Sequence, residues 1–274
     1  MPSLLAPPRR RAAVSQPARL RQPGQPTAVI GHMGAPREAP ANSAAAFLAA
    51  HRLGADGIEL DLIAVEPGRI LVAHDPSVAT GPDVLMLETL EHLLAEPPLA
   101  TMPVLLDIKS RGTARALAAA LIGAGLTPRA VVSTTDPQVL RRLSLAAPQA
   151  TRSQTFPRTR GDWQRRPLAR KLAPLWEPVA GAILPYAVRR AIQRHDLHAV
   201  TVNARLVTPA LRTMTAARGI ELIVWTVDDP ATTRRMLELD VDAIITNDPA
   251  LVLRLRDEHR QRDAEKRRTA TGGW

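Results

Sequence analysis

The 274-residue chain has no cysteine, which removes disulfides, zinc–thiolate centres and a thiol nucleophile together. Any metal must then be held by oxygen or imidazole. Aromatic residues are scarce as well: two Phe, one Tyr and four Trp leave a core to be built from Leu, Ala, Val and Ile. Uncharged apolar stretches such as VAGAILPYAV fall well short of the roughly 18 residues that argue for a membrane span. The N-terminus carries arginines and prolines but no continuous apolar run of the kind a secretory leader needs. A cytoplasmic protein is the expectation.

What is present in excess is positive charge, a formal +10, and it is unevenly placed. Residues 1–28 hold five basic and no acidic residues, and residues 152–194 hold ten basic against two acidic, while 29–151 hold nine against twelve. The charge therefore sits in one end and one internal segment. A basic patch attracts phosphate polymers and anionic membranes alike, but no nucleic-acid recognition pattern accompanies it, so nucleic acid is not an expected partner.

The first 26 residues contain six prolines and five arginines with no sustained apolar period, and read as a disordered basic extension, 1–26. From Thr27 onward β-rich runs alternate with Ala/Leu/Arg-rich helical patterns: TAVIG, DGIELDLI, RILVAHD, PVLLDIK, RAVVST, ATRSQTF, LHAVTVN, IELIVWTV and DAIITN. Repeated strand–helix units argue for a parallel sheet with helices outside it, and the length suits one α/β barrel. Ser43, Thr113, Asp136, Thr208 and Asp229 are candidate N-caps, and Gly54, Gly125 and Gly219 candidate helix stops. The barrel domain is expected over 27–256, with an elaborated basic segment at 156–194 and a charged tail at 257–274.

In DGIELDLI, Glu59 and Asp61 are two residues apart, so on a strand they share one face at roughly 7 Å while Ile58, Leu60 and Leu62 take the other. Two acids on one side of a buried strand are costly unless paired or metal-bound. PVLLDIK repeats the pattern with Asp107 and Lys109, and His32 and His74 each close an apolar run. If these strands adjoin in a barrel, two histidines, three carboxylates and a lysine converge at its C-terminal face, where barrel enzymes build their sites. Oxygen ligands without sulfur suit a hard cation, Mg²⁺ or Ca²⁺, with Mn²⁺ a third candidate.

The order His32-Met33-Gly34-Ala35, Pro40-Ala41-Asn42-Ser43, Glu59-Leu60-Asp61, His74-Asp75-Pro76, Asp107-Ile108-Lys109 and Trp225-Thr226-Val227-Asp228 resembles the glycerophosphodiester phosphodiesterase family over about residues 29–255. That resemblance implies a TIM (β/α)8 barrel and metal-dependent hydrolysis of a glycerophosphodiester or lysophospholipid-like diester to a phosphomonoester and an alcohol. It implies His32 and His74 as the acid/base pair, Glu59, Asp61 and Asp107 as metal ligands, Lys109 at the phosphate and Trp225 along the alcohol side. Attack by water and attack by a substrate hydroxyl both remain open.

Three positions depart from the family pattern: Met33 stands for an arginine, Ala41 for a glutamate, and Asp107 for a glutamate one methylene longer. Arg37, four residues beyond Met33, is expected to supply part of the missing charge to substrate. A rival reading, a weakened or non-catalytic phospholipid- or phosphate-binding barrel, rests on Met33 and Ala41; retention of both histidines and all three acids argues against it. The basic 152–194 segment, interleaved with Trp163, Leu168, Leu172, Leu175, Trp176 and Ile183, has two readings: a solvated loop packed on the barrel by its apolar residues, or a segment that docks the barrel mouth on an anionic membrane surface.

Overall fold

Each β-rich run must bury one face against helices and, in a closed barrel, the other against its own interior. A computed structural model describes residues 16–66, 69–75, 86–95, 97–157 and 167–271. Residues 1–15 of the extension, 158–166 of the basic segment with Trp163, and 272–274 lie outside the described residues, as do the side chains at 167–176. The strands are β1 (Ala28–Gly31), β2 (Gly57–Glu66), β3 (Arg69–Val72), β4 (Val104–Ile108), β5 (Ala130–Thr134), β6 (Thr151–Phe156), β7 (Ala199–Asn203), β8 (Glu221–Trp225) and β9 (Ala243–Thr246). The helices are α1 (Ala44–Arg52), α2 (Leu87–Ala95), α3 (Ala114–Gly123), α4 (Pro137–Ala146), α5 (Pro167–His195), α6 (Pro209–Ala216), α7 (Pro230–Glu238) and α8 (Pro249–Thr271).

Strand order runs β1-β9-β8-β7-β6-β5-β4-β2, and β1 pairs back onto β2, so eight parallel strands close on themselves. With helices between successive strands this is a TIM barrel. The period-two pattern sorts side chains as expected: Ile58, Leu60 and Leu62 join the cluster under the helices, whereas Ile30, Leu105, Val131, Ala199, Ile223 and Ile245 fill the barrel.

RILVAHD forms a strand, but not a barrel stave. β3 runs antiparallel to β2, pairing Val72 with Leu62 and Leu71 with Ile63. Hydrophobic periodicity carries no strand direction, and the short connection between β2 and β3 permits only a hairpin. The consequence for the site is favourable. The first part of β2 pairs with β1 (Ile58 with Gly31) and its upper part with β3, so the chain leaving Val72 descends onto the mouth where β1 ends.

Four of the five expected N-caps accept a backbone N–H: Ser43 from Ala46, Asp136 from Gln138, Thr208 from Leu211 and Asp229 from Thr232. Thr113 does not cap; its hydroxyl donates back to Ser110 O instead. Gly54, Gly125 and Gly219 all take positive φ after their helices, the conformation that only glycine adopts without strain.

The stretch from Pro17 is packed, which corrects the expectation of disorder throughout 1–26. Ala18 and Leu20 are 3% and 2% exposed and join the barrel-interior cluster beside Ala28, Ala199 and Ala243. Those small alanines leave room at the barrel floor, and the cavity that an unfilled floor would leave is costly. Leu20 N and Arg21 N donate to Glu221 Oε2 and Oε1 at 3.3 and 3.1 Å. At the other end no boundary occurs near 257: α8 continues as one 23-residue helix, carrying Arg254–Glu258 and His259–Asp263 pairs at i,i+4, a spacing that supports helix in water.

Candidate active site

β1 ends in a turn that two glycines permit. A Cβ on Gly31 would meet Gly34 O at 2.3 Å, and one on Gly34 would meet the Ala46 backbone at 2.6 Å. Between them Met33 is held at φ 51°, which aims its N–H at Glu59 Oε2, 2.9 Å away. His32 is fixed on one side by its own N–H to Thr246 O at 2.8 Å and on the other by its ring.

Ring nitrogen Nδ1 of His32 lies 2.8 Å from Asn247 Oδ1. Asn247 Nδ2 donates to Asp228 Oδ2 at 2.7 Å, and Asp228 Oδ1 accepts from Asn247 N at 2.7 Å and Thr246 Oγ1 at 3.1 Å. An ionised carboxylate only accepts, so Asp228 sets the amide with its nitrogen inward and its oxygen toward His32; Nδ1 must then donate. The lone pair is left on Nε2, which faces Glu59 Oε2 at 4.0 Å. Burial lowers the His32 pKa, with the Asn247 bond and the Asp61 charge opposing it, which favours the neutral imidazole that can accept a proton.

Glu59 and Asp61 point into the barrel, 4% and 0% exposed. Asn42, itself at φ 59°, grips Asp61 from both sides: its Nδ2 donates to Asp61 Oδ2 at 3.0 Å and its Oδ1 accepts from Asp61 N at 3.2 Å. Asp107 sits beside Asp61 across the β2–β4 pair and accepts from Ser133 Oγ at 2.8 Å. Lys109 Nζ contacts Asp107 Oδ2 and stands 2.8 Å from Asp61 Oδ1. Its ammonium is thus placed among the carboxylates, where the resemblance implied a contact with phosphate.

The charges do not balance. Burial opposes ionisation of Asp61, yet Lys109, His74 and Asn42 outweigh it and hold that carboxyl below its ordinary value. Burial also disfavours the Lys109 charge, but Asp107, Asp61 and Glu59 raise its pKa. Glu59 is left over: burial, then Asp61 and Asp107, push its carboxyl well above the usual range against Lys109 and one N–H. Three acids facing one ammonium lack about two positive charges. Oxygens of Glu59, Asp61 and Asp107 lie within 4.8 Å of one another, so donor type, spacing and charge deficit all fit a hard divalent cation.

His74, exposed just past β3, is near enough for its charge to act on Asp61. Trp225 ends β8 at the mouth, and its Nε1 is buried without a hydrogen-bond partner among the described residues. Arg37 is half exposed and ion-paired with Asp248, so its charge is already matched. Sequence reasoning missed Asn42, Ser133, Asp228 and Asn247 as site residues. Asn42 and Asp228 stand inside the motifs quoted above; Ser133 and Asn247 carry no local signal.

The chain also matches known proteins. The model of the glycerophosphoryl diester phosphodiesterase family matches residues 32–96 and 86–251. A glycerophosphodiester phosphodiesterase of Caldanaerobacter subterraneus subsp. tengcongensis is 26% identical over 261 residues, 84% of this chain and 97% of that protein. Among solved structures, a glycerophosphodiester phosphodiesterase from Parabacteroides distasonis superposes with TM-score 0.67 at 17% identity, covering 86% of this chain and 99% of its own. An Oleispira antarctica phosphodiesterase in complex with the product sn-glycerol-3-phosphate gives 0.63 at 14%, covering 85% and 97%. Those likenesses show a shared barrel fold, and the family match spans the strands that carry His32, Glu59, Asp61, Asp107 and Trp225. The chain belongs to the glycerophosphoryl diester phosphodiesterase family.

Proposed function

We propose that this enzyme hydrolyses glycerophosphodiesters, and lysophospholipid-like diesters, to a phosphomonoester and an alcohol, and that it depends on a divalent cation. The observation that carries the reading is the juxtaposition of His32, its Nε2 lone pair held toward the centre, with three carboxylates short of positive charge. Glu59, Asp61 and Asp107 would hold the cation, which supplies Lewis-acid polarisation of a phosphoryl oxygen.

The chain's own groups then divide the work. His32 Nε2 takes the proton of the attacking O–H as that oxygen bonds to phosphorus. The P–O bond to the departing alcohol breaks, and its oxygen takes a proton from His74, whose exposure just past β3 supports that role. Lys109 holds Asp61 ionised, contacts Asp107 and adds positive charge beside the phosphoryl group. Trp225 Nε1, without a partner among the described residues, would offer a hydrogen bond to a hydroxyl of the alcohol, which supports a polyol such as glycerol. The sn-glycerol-3-phosphate bound to the Oleispira protein supports the same substrate class.

Purified protein incubated with glycerophosphocholine, glycerophosphoethanolamine and a lysophospholipid, with products followed by ³¹P NMR, tests the reading. A phosphomonoester signal is expected with wild type. Folded His32→Ala and His74→Ala variants should lose at least about 10² in rate, the lower end of what a placed acid or base contributes. Wild-type rates in either variant would remove that histidine from the mechanism.

A further inference from the structure

Helix α5 has two apolar faces. Leu184, Val188 and Ala191 are buried against the barrel. On another face Val179, Ile183 and Tyr186 are 59%, 58% and 58% exposed. Their spacing of four and then three residues lines them up as one stripe, roughly 10 Å long at 1.5 Å per residue. The sequence repeats apolar residues at the same spacing at positions 168, 172 and 175. A surface helix of a barrel needs only its inward face to be apolar, so the outer stripe is not explained by the fold.

Its border is positive. The Arg189 guanidinium lies over the Tyr186 ring, 5.6 Å from the centroid, which holds a cation at the edge of the apolar stripe. Arg190 and Arg194 follow on the same helix, both exposed. Among the described side chains of α5, three arginines stand against one acidic residue, Glu177. Beside α5 a cavity of about 400 Å³ is lined by Pro178, Gly181, Thr208, Arg205 and Arg235, with Glu177 as its acid.

We propose that this face of α5 docks on an anionic phospholipid bilayer, with Val179, Ile183 and Tyr186 entering the headgroup–acyl boundary and Arg189, Arg190 and Arg194 meeting lipid phosphates. The charge selects this occupant. A second copy of the chain would bring three more arginines into the same contact, and a nucleic acid would engage the arginines while leaving the apolar stripe in water. α5 runs from the mouth side at Pro167 to the floor side at His195, so docking lays the flank of the barrel along the lipid surface.

Co-sedimentation of the full chain with phosphatidylcholine vesicles, with and without phosphatidylglycerol, tests the proposal without relying on catalysis. Binding is expected at low salt to the mixed vesicles alone, and weakened at high salt. A Val179→Ser/Ile183→Ser/Tyr186→Ser variant with an unchanged melting curve should bind about tenfold or more weakly. Each of Arg189→Gln and Arg190→Gln should cost about fivefold, and none should alter hydrolysis of a water-soluble diester. Absence of sedimentation at low salt, equal binding by the triple variant, or a stripe-dependent dimer in light scattering would overturn it.

Discussion

His32 and Asn247 stand 215 residues apart in sequence and share a 2.8 Å hydrogen bond in which the imidazole Nδ1–H donates to the amide oxygen. Asp228 makes that direction obligatory by taking the amide nitrogen. The pair converts a tautomer choice into a geometric one, since a ring with Nδ1 occupied keeps Nε2 free for the proton it must accept.

The first expectation follows from that bond. Asn247→Ala should lower kcat by about 10-fold to 100-fold with little change in KM, by analogy with the loss of groups that orient a functional histidine. Asn247→Asp keeps an acceptor but adds negative charge, so it favours imidazolium and should move the acidic limb of the pH–rate profile upward. Identical limbs in wild type and Asn247→Asp would show that Asn247 does not govern His32.

Asp107 supplies the second. If its carboxylate holds the cation, Asp107→Asn should weaken metal binding more than Asp107→Glu, because the amide loses the charge while glutamate keeps it and extends the reach. Calorimetric titration with Mg²⁺ and Mn²⁺ measures both. Equal affinities would place Asp107 outside the ligand set.

Glu221 at the barrel floor gives a stability expectation. Burial is the main cause that pushes its carboxyl from an ordinary 4.5 up to about 7, against the Leu20 and Arg21 N–H bonds and the Arg19 charge, with Asp242 adding to the rise. The folded state therefore keeps a proton that the unfolded chain has released. The contribution is full below pH 4.5 and is lost as pH rises to about 7, a difference of roughly 3 kcal/mol at most. Relative to wild type, Glu221→Gln should gain stability across that window in urea titrations. Parallel curves would contradict it.

Met33 yields the fourth. Its side chain follows His32 at the mouth, and Arg37 is committed to Asp248, so no free guanidinium serves the phosphate from this loop. Met33→Arg should raise activity on small glycerophosphodiesters by up to about tenfold, equivalent to one charge-assisted bond of about 1.5 kcal/mol, and lower it on bulkier lysophospholipids. An unchanged substrate ranking would show that position 33 does not set specificity.

The acids were legible because Glu59 and Asp61 break a period-two apolar strand on one face, and Asp107-x-Lys109 repeats the pattern on the strand that turns out to adjoin it. The groups that hold them were not. Ser133 and Asn247 lie at strand ends whose meeting with Asp107 and His32 depends on barrel closure, and an isolated serine or asparagine looks the same in a solvated loop. Leu20 escaped notice for the same reason: one leucine among prolines and arginines has no period, and its burial depends on the small alanines of three distant strands. β3 was read as a strand correctly, but its direction is a property of the hairpin and not of its residues.

The account's central claim is that Glu59, Asp61 and Asp107 form a cation site on which hydrolysis depends. The most direct measurement is hydrolysis of glycerophosphocholine by the full chain after EDTA treatment, with Mg²⁺, Ca²⁺ or Mn²⁺ added back, in wild type and in a folded Glu59→Gln variant. The account predicts activity lost with EDTA, restored by at least one of the three ions in wild type, and restored poorly at the same concentrations in Glu59→Gln. Full activity in EDTA, or equal restoration in both proteins, would contradict it.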